Sequence, residues 1–229
     1  MKRGILFIIV IFFQTIFFAQ QRFRAGVSFG PTVTEIAGIG SQMYHKPGLF
    51  TGLILNSELS KKWALQFEMN YVTKGSLQRP DSSNNGHFYV NIGYVEIPFL
   101  LKRHIHFNSN GKIMDRFDVE FGLLYGRRVG KINMKADNYP VTFSESSFNN
   151  DLVDFFGGVG FNFSSNFSFS LRYSNSLVPA VKRNALNLAF IRYTYNQGNN
   201  ESFQFVFKYI FGSTADKIYV PEQPQKNGD

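Results

Sequence analysis

The 229-residue chain contains no cysteine and only one tryptophan. The missing thiols exclude disulfides, thiolate metal centres, a cysteine nucleophile and a lipid-modified N-terminal cysteine. Charged residues are scarce at 17%, against about a quarter in ordinary soluble domains. That scarcity excludes a charged helical bundle, and the aromatic content argues against disorder. After the first twenty residues no hydrophobic run is long enough for a membrane-spanning helix. A phosphate-cradling glycine loop is also missing, because Gly157, Gly158 and Gly160 fall inside a strand-like pattern. What is abundant is phenylalanine (27), glycine (20) and tyrosine (11), the composition of a β-rich protein.

At the start, Lys2 and Arg3 precede an apolar run from Ile5 to Phe18, broken only by Gln14 and Thr15, and Ala19 follows. A basic start, a short hydrophobic stretch and a small residue describe a secretory signal peptide over residues 1–19, cleaved near Ala19. Phe17 stands three residues before that cut, where a small residue is usual. Removing the segment leaves 22 basic against 16 acidic residues, a formal +6 in place of +8. On an exported chain this surplus points to outer-membrane lipid and lipopolysaccharide rather than to nucleic acid.

The remaining chain alternates with period two. Trp63, Leu65, Phe67, Met69 and Tyr71 oppose Ala64, Gln66, Glu68 and Asn70. Phe117, Val119, Phe121, Leu123 and Tyr125 oppose Asp118, Glu120, Gly122 and Leu124. Phe167, Phe169, Leu171 and Tyr173 oppose Ser168, Ser170, Arg172 and Ser174, and Phe203 to Phe211 alternates around Gln204, Val206, Lys208 and Ile210. Weaker alternation places Arg24 opposite Phe23 and Ala25, Glu96, Pro98 and Lys102 opposite Val95 to Leu101, and Asp154 opposite Phe155. Eight strands are expected near 22–30, 48–58, 62–74, 88–103, 115–129, 151–164, 166–178 and 201–212.

The connections sort into two kinds. Short turns lie around Ser60 and Lys61 and at Ser164–Asn166, with a middling one at His106–Met114 that contains Asn110-Gly111. Longer polar links cover Pro31–Lys46, Gly75–His87, Gly130–Asn150 and Pro179–Asn200. An even strand count with short turns at one end and long loops at the other predicts an all-β, eight-stranded antiparallel up-and-down transmembrane barrel. The polar faces carry mostly Ser, Gly, Asn and Gln, which suits a narrow lumen better than a solvated sheet. The aromatic faces then meet lipid, with Tyr71, Tyr125 and Tyr173 as an interface girdle.

Parity places Arg24, Arg172 and Lys208 inside on strands that adjoin at closure, and Glu68, Glu96 and Glu120 inside across the barrel. Opposed charges in so narrow a lumen can neutralise one another, so a charge-paired, plugged interior is expected. Pro98 cannot donate a ladder hydrogen bond, which predicts a bulge or an early strand end near it.

Catalytic groupings are thin. His104 and His106 share strand parity but lack a third ligand, so a solvated turn is the better reading and no metal or cofactor is expected. His45 and His87 fall in different outer loops with serines and Asp81 near in sequence, a pattern from which a lipid-directed hydrolase would be built only if geometry joined them. The loop residues Leu186, Leu188, Phe190, Ile191, Tyr193 and Tyr195 read as strands continuing past the membrane, with an apolar partner patch as the other reading.

Several stretches resemble a known family. They are Phe-Arg-Ala-Gly-Val (23–27), Lys-Pro-Gly-Leu-Phe-Thr-Gly (46–52), Trp-Ala-Leu-Gln-Phe-Glu-Met-Asn-Tyr (63–71), Tyr-Val-Glu-Ile-Pro-Phe-Leu-Leu-Lys (94–102) and a closing aromatic strand ending at Phe211. Across residues 22–212 the chain resembles the PorT-like outer-membrane β-barrel domain of Bacteroidetes. The resemblance implies a small eight-stranded outer-membrane barrel and no single activity. The domain reading is a signal peptide over 1–19, a barrel over 20–212 and a short periplasmic tail over 213–229. The expected role is a non-enzymatic structural or interaction barrel of the outer membrane, with a protein partner at the extracellular loops or periplasmic turns. An accessory barrel of a secretion machine of the type IX kind is the alternative.

Overall fold

The computed structural model describes residues 23–37, 39, 46–60, 62–80, 82, 85–109, 112–138, 143–182 and 198–212, the side chains of 106–115 excepted. The expected signal peptide, the tail from 213 onward and the residues from Leu186 to Tyr195 lie outside them. Eight antiparallel strands close into one barrel: β1 (Phe23–Ile36), β2 (Lys46–Glu58), β3 (Trp63–Gln78), β4 (His87–Ser109), β5 (Lys112–Asp137), β6 (Asp151–Asn162), β7 (Phe167–Ser176) and β8 (Asn200–Ile210). Each strand pairs with its sequence neighbour, and β1 pairs with β8, for example Val27 with Tyr209. The expected all-β, eight-stranded antiparallel barrel is the observed fold.

The faces are inverted relative to a soluble protein. Phe29, Leu53, Met69, Leu123, Val159 and Phe205 are exposed on the outside, while Gln66, Glu120, Ser170, Arg172, Ser202 and Lys208 are buried within. On β5 the outward residues run from Phe117 to Tyr125. Eight steps of ~3.4 Å give roughly 27 Å along the strand, or about 20 Å in height at a tilt near 40°. That approaches the apolar band of about 25 Å expected of an outer-membrane barrel.

Several boundaries differ from the sequence expectation. β1 continues to Ile36 through Pro31, and β5 continues to Asp137 through Gly130. Both residues punctuate most chains, but here they are accommodated inside strands. Gly130 adopts φ 72° where β5 carries extra residues between Val129, opposite Gly93, and Asn133, opposite Asn91. This left-handed conformation is one that glycine enters without steric cost.

Pro98 produces neither the expected bulge nor an early strand end. β4 keeps its register past Pro98, which stands opposite Leu124 of β5. On the β3 side the pairing runs to Phe67–Phe99 and resumes in the same register at Asn70–Glu96. Pro31 does the same: β1 pairs Phe29 with Phe207 and then Thr32 with Gln204. A closed barrel thus tolerates a missing N–H by skipping two pairs on one side, while the intact ladder on the other side holds the strand in place.

Close approach sets a second local constraint. A methyl group added at Gly122 would fall on the Phe99 carbonyl oxygen and within 3.1 Å of the Leu100 Cα. Gly122→Ala is therefore expected to weaken β4–β5 pairing by about 1–3 kcal/mol, read as a lower temperature at which the compact gel form of the unboiled protein disappears. An unchanged temperature would refute the close approach.

Candidate functional site

The strands bring ionisable side chains from all sides of the ring into one lumen. Among the described residues five basic groups (Lys46, Lys74, Lys102, Arg172, Lys208) and five acidic ones (Glu68, Glu96, Asp118, Glu120, Asp154) are buried. Charges withdrawn from water are tolerated only when paired and hydrogen-bonded, and most of these are.

Arg172 of β7 is the hub. Its Nη1 and Nη2 donate to the two carboxylate oxygens of Glu68 at 2.9 and 2.7 Å, and its Nε donates to Glu120 at 2.8 Å. Lys208 of β8 donates to Glu120 as well. The Ser170 hydroxyl adds a bond to Glu120 at 2.9 Å, and the amides of Asn70 and Gln66 donate to Glu68. The guanidinium carbon also lies 5.5 Å from the centre of the Phe156 ring, within cation–π range.

Glu96 does not join that hub. It pairs with Lys74 at 2.5 Å, and Lys74 also donates to Asp154 at 2.7 Å. Two carboxylates therefore share one ammonium, and Asp154 Oδ1 and the Tyr94 hydroxyl have no hydrogen-bond partner among the described residues. Above and around this trio, Ile36, Phe50, Val72, Phe88, Tyr94 and Phe148 belong to one apolar cluster at the long-loop end of the lumen.

Arg24 stands apart too. It donates to Glu58 at 2.9 Å near the short-turn end. There His104 lies between two carboxylates, with Nε2 3.1 Å from Glu58 and Nδ1 2.6 Å from Asp118. Lys102 is 3.6 Å from Asp118, and the Asn162 amide donates to it at 3.0 Å. His104 is thus part of a strand and of a charge cluster, not of a solvated turn. The six residues expected in the lumen therefore fall into three clusters rather than one network. Lys74 and Asp154 complete one of those clusters and Glu58, His104 and Asp118 another; parity sets Asp118 on the same face as Glu120 without drawing any of the five into the expected network.

Tyr71, Tyr125 and Tyr173 all lie on the outer face toward the long-loop end. Tyr71 and Tyr125 are exposed, and Tyr173 packs 5.1 Å from the Phe203 ring centre. The Tyr125 hydroxyl donates to Asp151 at 2.6 Å, and Arg127 donates to both oxygens of the same carboxylate at 2.8 and 3.0 Å.

Of the hydrolase candidates only His87 is among the described residues. His87 Nδ1 is 3.7 Å from Asp137, beyond hydrogen-bond reach. His45, Asp81 and the side chain of His106 lie outside the described residues. Among the described residues no three His, Asp or Glu side chains are arranged so that they could hold a metal ion.

A family model described as outer membrane protein beta-barrel domain matches residues 18–181, and the chain belongs to that family. Similar solved structures include the attachment invasion locus protein Ail of Yersinia pestis, at 12% identity over 83% of this chain and 99% of that one, TM-score 0.45. Neisserial surface protein A shares 9% identity over 82% and 97% of the two chains, TM-score 0.42. OprG from Pseudomonas aeruginosa shares 10% over 83% and 95%, TM-score 0.35. No curated protein matches the chain.

The burial contrast between pairs sets a ranking. Glu120→Gln removes the carboxylate that Arg172 and Lys208 share, and losing one partner of a buried pair costs about 3–5 kcal/mol. Its compact gel form is expected to be lost at a clearly lower temperature than that of wild type. Asp151→Asn, at an exposed pair, is expected to leave the transition nearly unchanged, because water already screens it. Equal effects of the two substitutions would show that the buried hub contributes no more than a surface contact.

Proposed function

We propose that this outer-membrane barrel is a non-enzymatic structural or interaction protein whose lumen is closed by paired charges and which acts through the loops at its long-loop end. That end faces the outside, as the contrast with the short turns of the other end supports. The observation that carries the reading is the Arg172–Glu68–Glu120–Lys208 cluster, which spans β3, β5, β7 and β8 across the middle of the ring. Eight strands leave a lumen only wide enough for side chains, and here those side chains are tied together. The apolar cluster with Phe88 and Phe148 fills the outward end, where Phe143 adds a ring 5.7 Å from Phe88 and 6.0 Å from Phe148.

In this reading residues 1–19 are removed on export, 20–212 form the barrel and 213–229 form a periplasmic tail. The interface tyrosines set its depth in the membrane, with lipid and lipopolysaccharide around the apolar band. A protein partner, where there is one, meets the outer loops or the periplasmic turns. The finer PorT-like placement rests on the stretch from Tyr94 to Lys102 described above.

Planar-bilayer recording tests the closed lumen. Protein whose compact gel form shows that it is folded is expected to give no stable conductance steps at 100 mV of either sign. Steady steps of porin size from that same preparation would overturn the reading.

A further inference from the structure

We propose that the outer face of β5 beyond Tyr125, with the cleft beside it, binds the phosphorylated headgroup of an outer-leaflet glycolipid. The proposal rests on the reading that the long-loop end faces outside. From Phe117 to Leu123 the outward residues of β5 are apolar. Arg127, Lys131 and Lys135 recur above Tyr125 on the same outer face, all exposed. Arg127 is held by Asp151. Neither Lys131 nor Lys135 has an acidic partner among the described residues. The rim is not basic all round, because on the β1–β8 side Glu35 stands opposite Glu201.

Height decides which lipid fits. The bulge at Gly130 shortens β5 here, so the span is counted on its partner β4, where Arg127 stands opposite Val95 and Lys135 opposite Tyr89. Six steps of ~3.4 Å make roughly 20 Å along the strand and about 15 Å in height at a tilt near 40°. A phospholipid headgroup layer is only about 5–8 Å deep on each side of the hydrocarbon. It reaches Arg127 and falls short of Lys135. An anion that meets the upper lysines needs a taller headgroup, such as a phosphorylated saccharide carried on acyl chains.

A cleft of about 320 Å³ adjoins this row, lined by Phe148, Asn149, Asn150, Asp151, Val178 and Lys182. Asp151 belongs both to the cleft and to the Arg127 pair, and the Arg128 N–H donates to the Asn150 carbonyl at 2.7 Å. Amides and a carboxylate are partners for sugar hydroxyls, while ammonium and guanidinium groups are partners for phosphate. The two chemistries stand side by side. Lysines on a strand that outruns its neighbour also discourage edge pairing, but that role carries no lipid preference, so the two explanations separate in one experiment.

The full folded chain in phosphatidylcholine nanodiscs is titrated with lipid A and, separately, with phosphatidylglycerol. Wild type is expected to prefer lipid A, and the Lys131→Gln/Lys135→Gln variant to bind it about tenfold or more weakly. Unchanged affinity in that variant, or equal affinity of wild type for phosphatidylglycerol, overturns the proposal. Asn133→Cys, in a chain without native cysteine, reports orientation separately through a membrane-impermeant maleimide on intact cells. Labelling supports the proposal. Protection until the cells are opened would overturn the orientation and the glycolipid site together, a failure distinct from the loss of lipid preference alone.

Discussion

Every backbone N–H and C=O that crosses hydrocarbon must find its partner within the protein, because the bilayer core offers no water. For strands that condition is met only by a ring, and the pairing of β1 with β8 is what completes it. The rest of the structure follows from this closure. A ring of eight has an outside that lipid can wet and a narrow inside about as wide as the side chains it holds, so apolar side chains are sent outward and polar ones are drawn in. The prolines show how strict the condition is. Pro31 and Pro98 each interrupt one ladder without shifting its register, so the ring absorbs the missing donor and stays closed.

Drawing polar groups inward creates a problem that a soluble core does not have. Carboxylates, ammonium groups and a guanidinium must be held away from water, and among the described residues the molecule meets this by balancing the buried ones in number and pairing most of them through hydrogen bonds. Arg172 suits the hub because its planar fork serves two carboxylates at once, which a lysine's point charge cannot do with the same geometry. Lys74 shows the contrast: between Glu96 and Asp154 it leaves one carboxylate oxygen of Asp154 unpartnered. The cluster at the short-turn end, with His104 between Glu58 and Asp118, is less deeply buried and closes the series along the axis.

The alternation of large apolar with small or polar residues carried most of this architecture in the sequence alone, since a side-chain period of two distinguishes only two faces. It was enough for strand number, order and facing. Strand ends were less legible. Pro31 and Gly130 are common stop signals, and only the pairing of a neighbouring strand reveals that β1 and β5 run through them. Partner choice in the lumen was legible in kind but not in detail. Parity placed Glu68 and Arg172 inside, but they are 104 residues apart, and which carboxylate a guanidinium reaches depends on tilt and stagger that no local pattern encodes. Glu96 and Arg24 went to Lys74 and Glu58 for that reason.

The same strand obeys two opposite rules along its length, and the point of change is visible in β5. From Phe117 to Tyr125 the outward side chains are apolar, while the inward ones include buried Asp118 and Glu120. From Arg127 to Lys135 the outward side chains are mostly charged or polar, while the inward ones include Ile132, buried in the apolar cluster, and Met134, packed against it. Below the change the strand is built for lipid outside and a confined polar lumen inside. Above it, the strand is built as in a water-soluble sheet, with its own small hydrophobic core. A single strand can satisfy both because each rule uses the same period of two and only the solvent differs. The exchange falls at Tyr125, Arg127 and Asp151, whose hydrogen bonds tie β5 to β6 at that level.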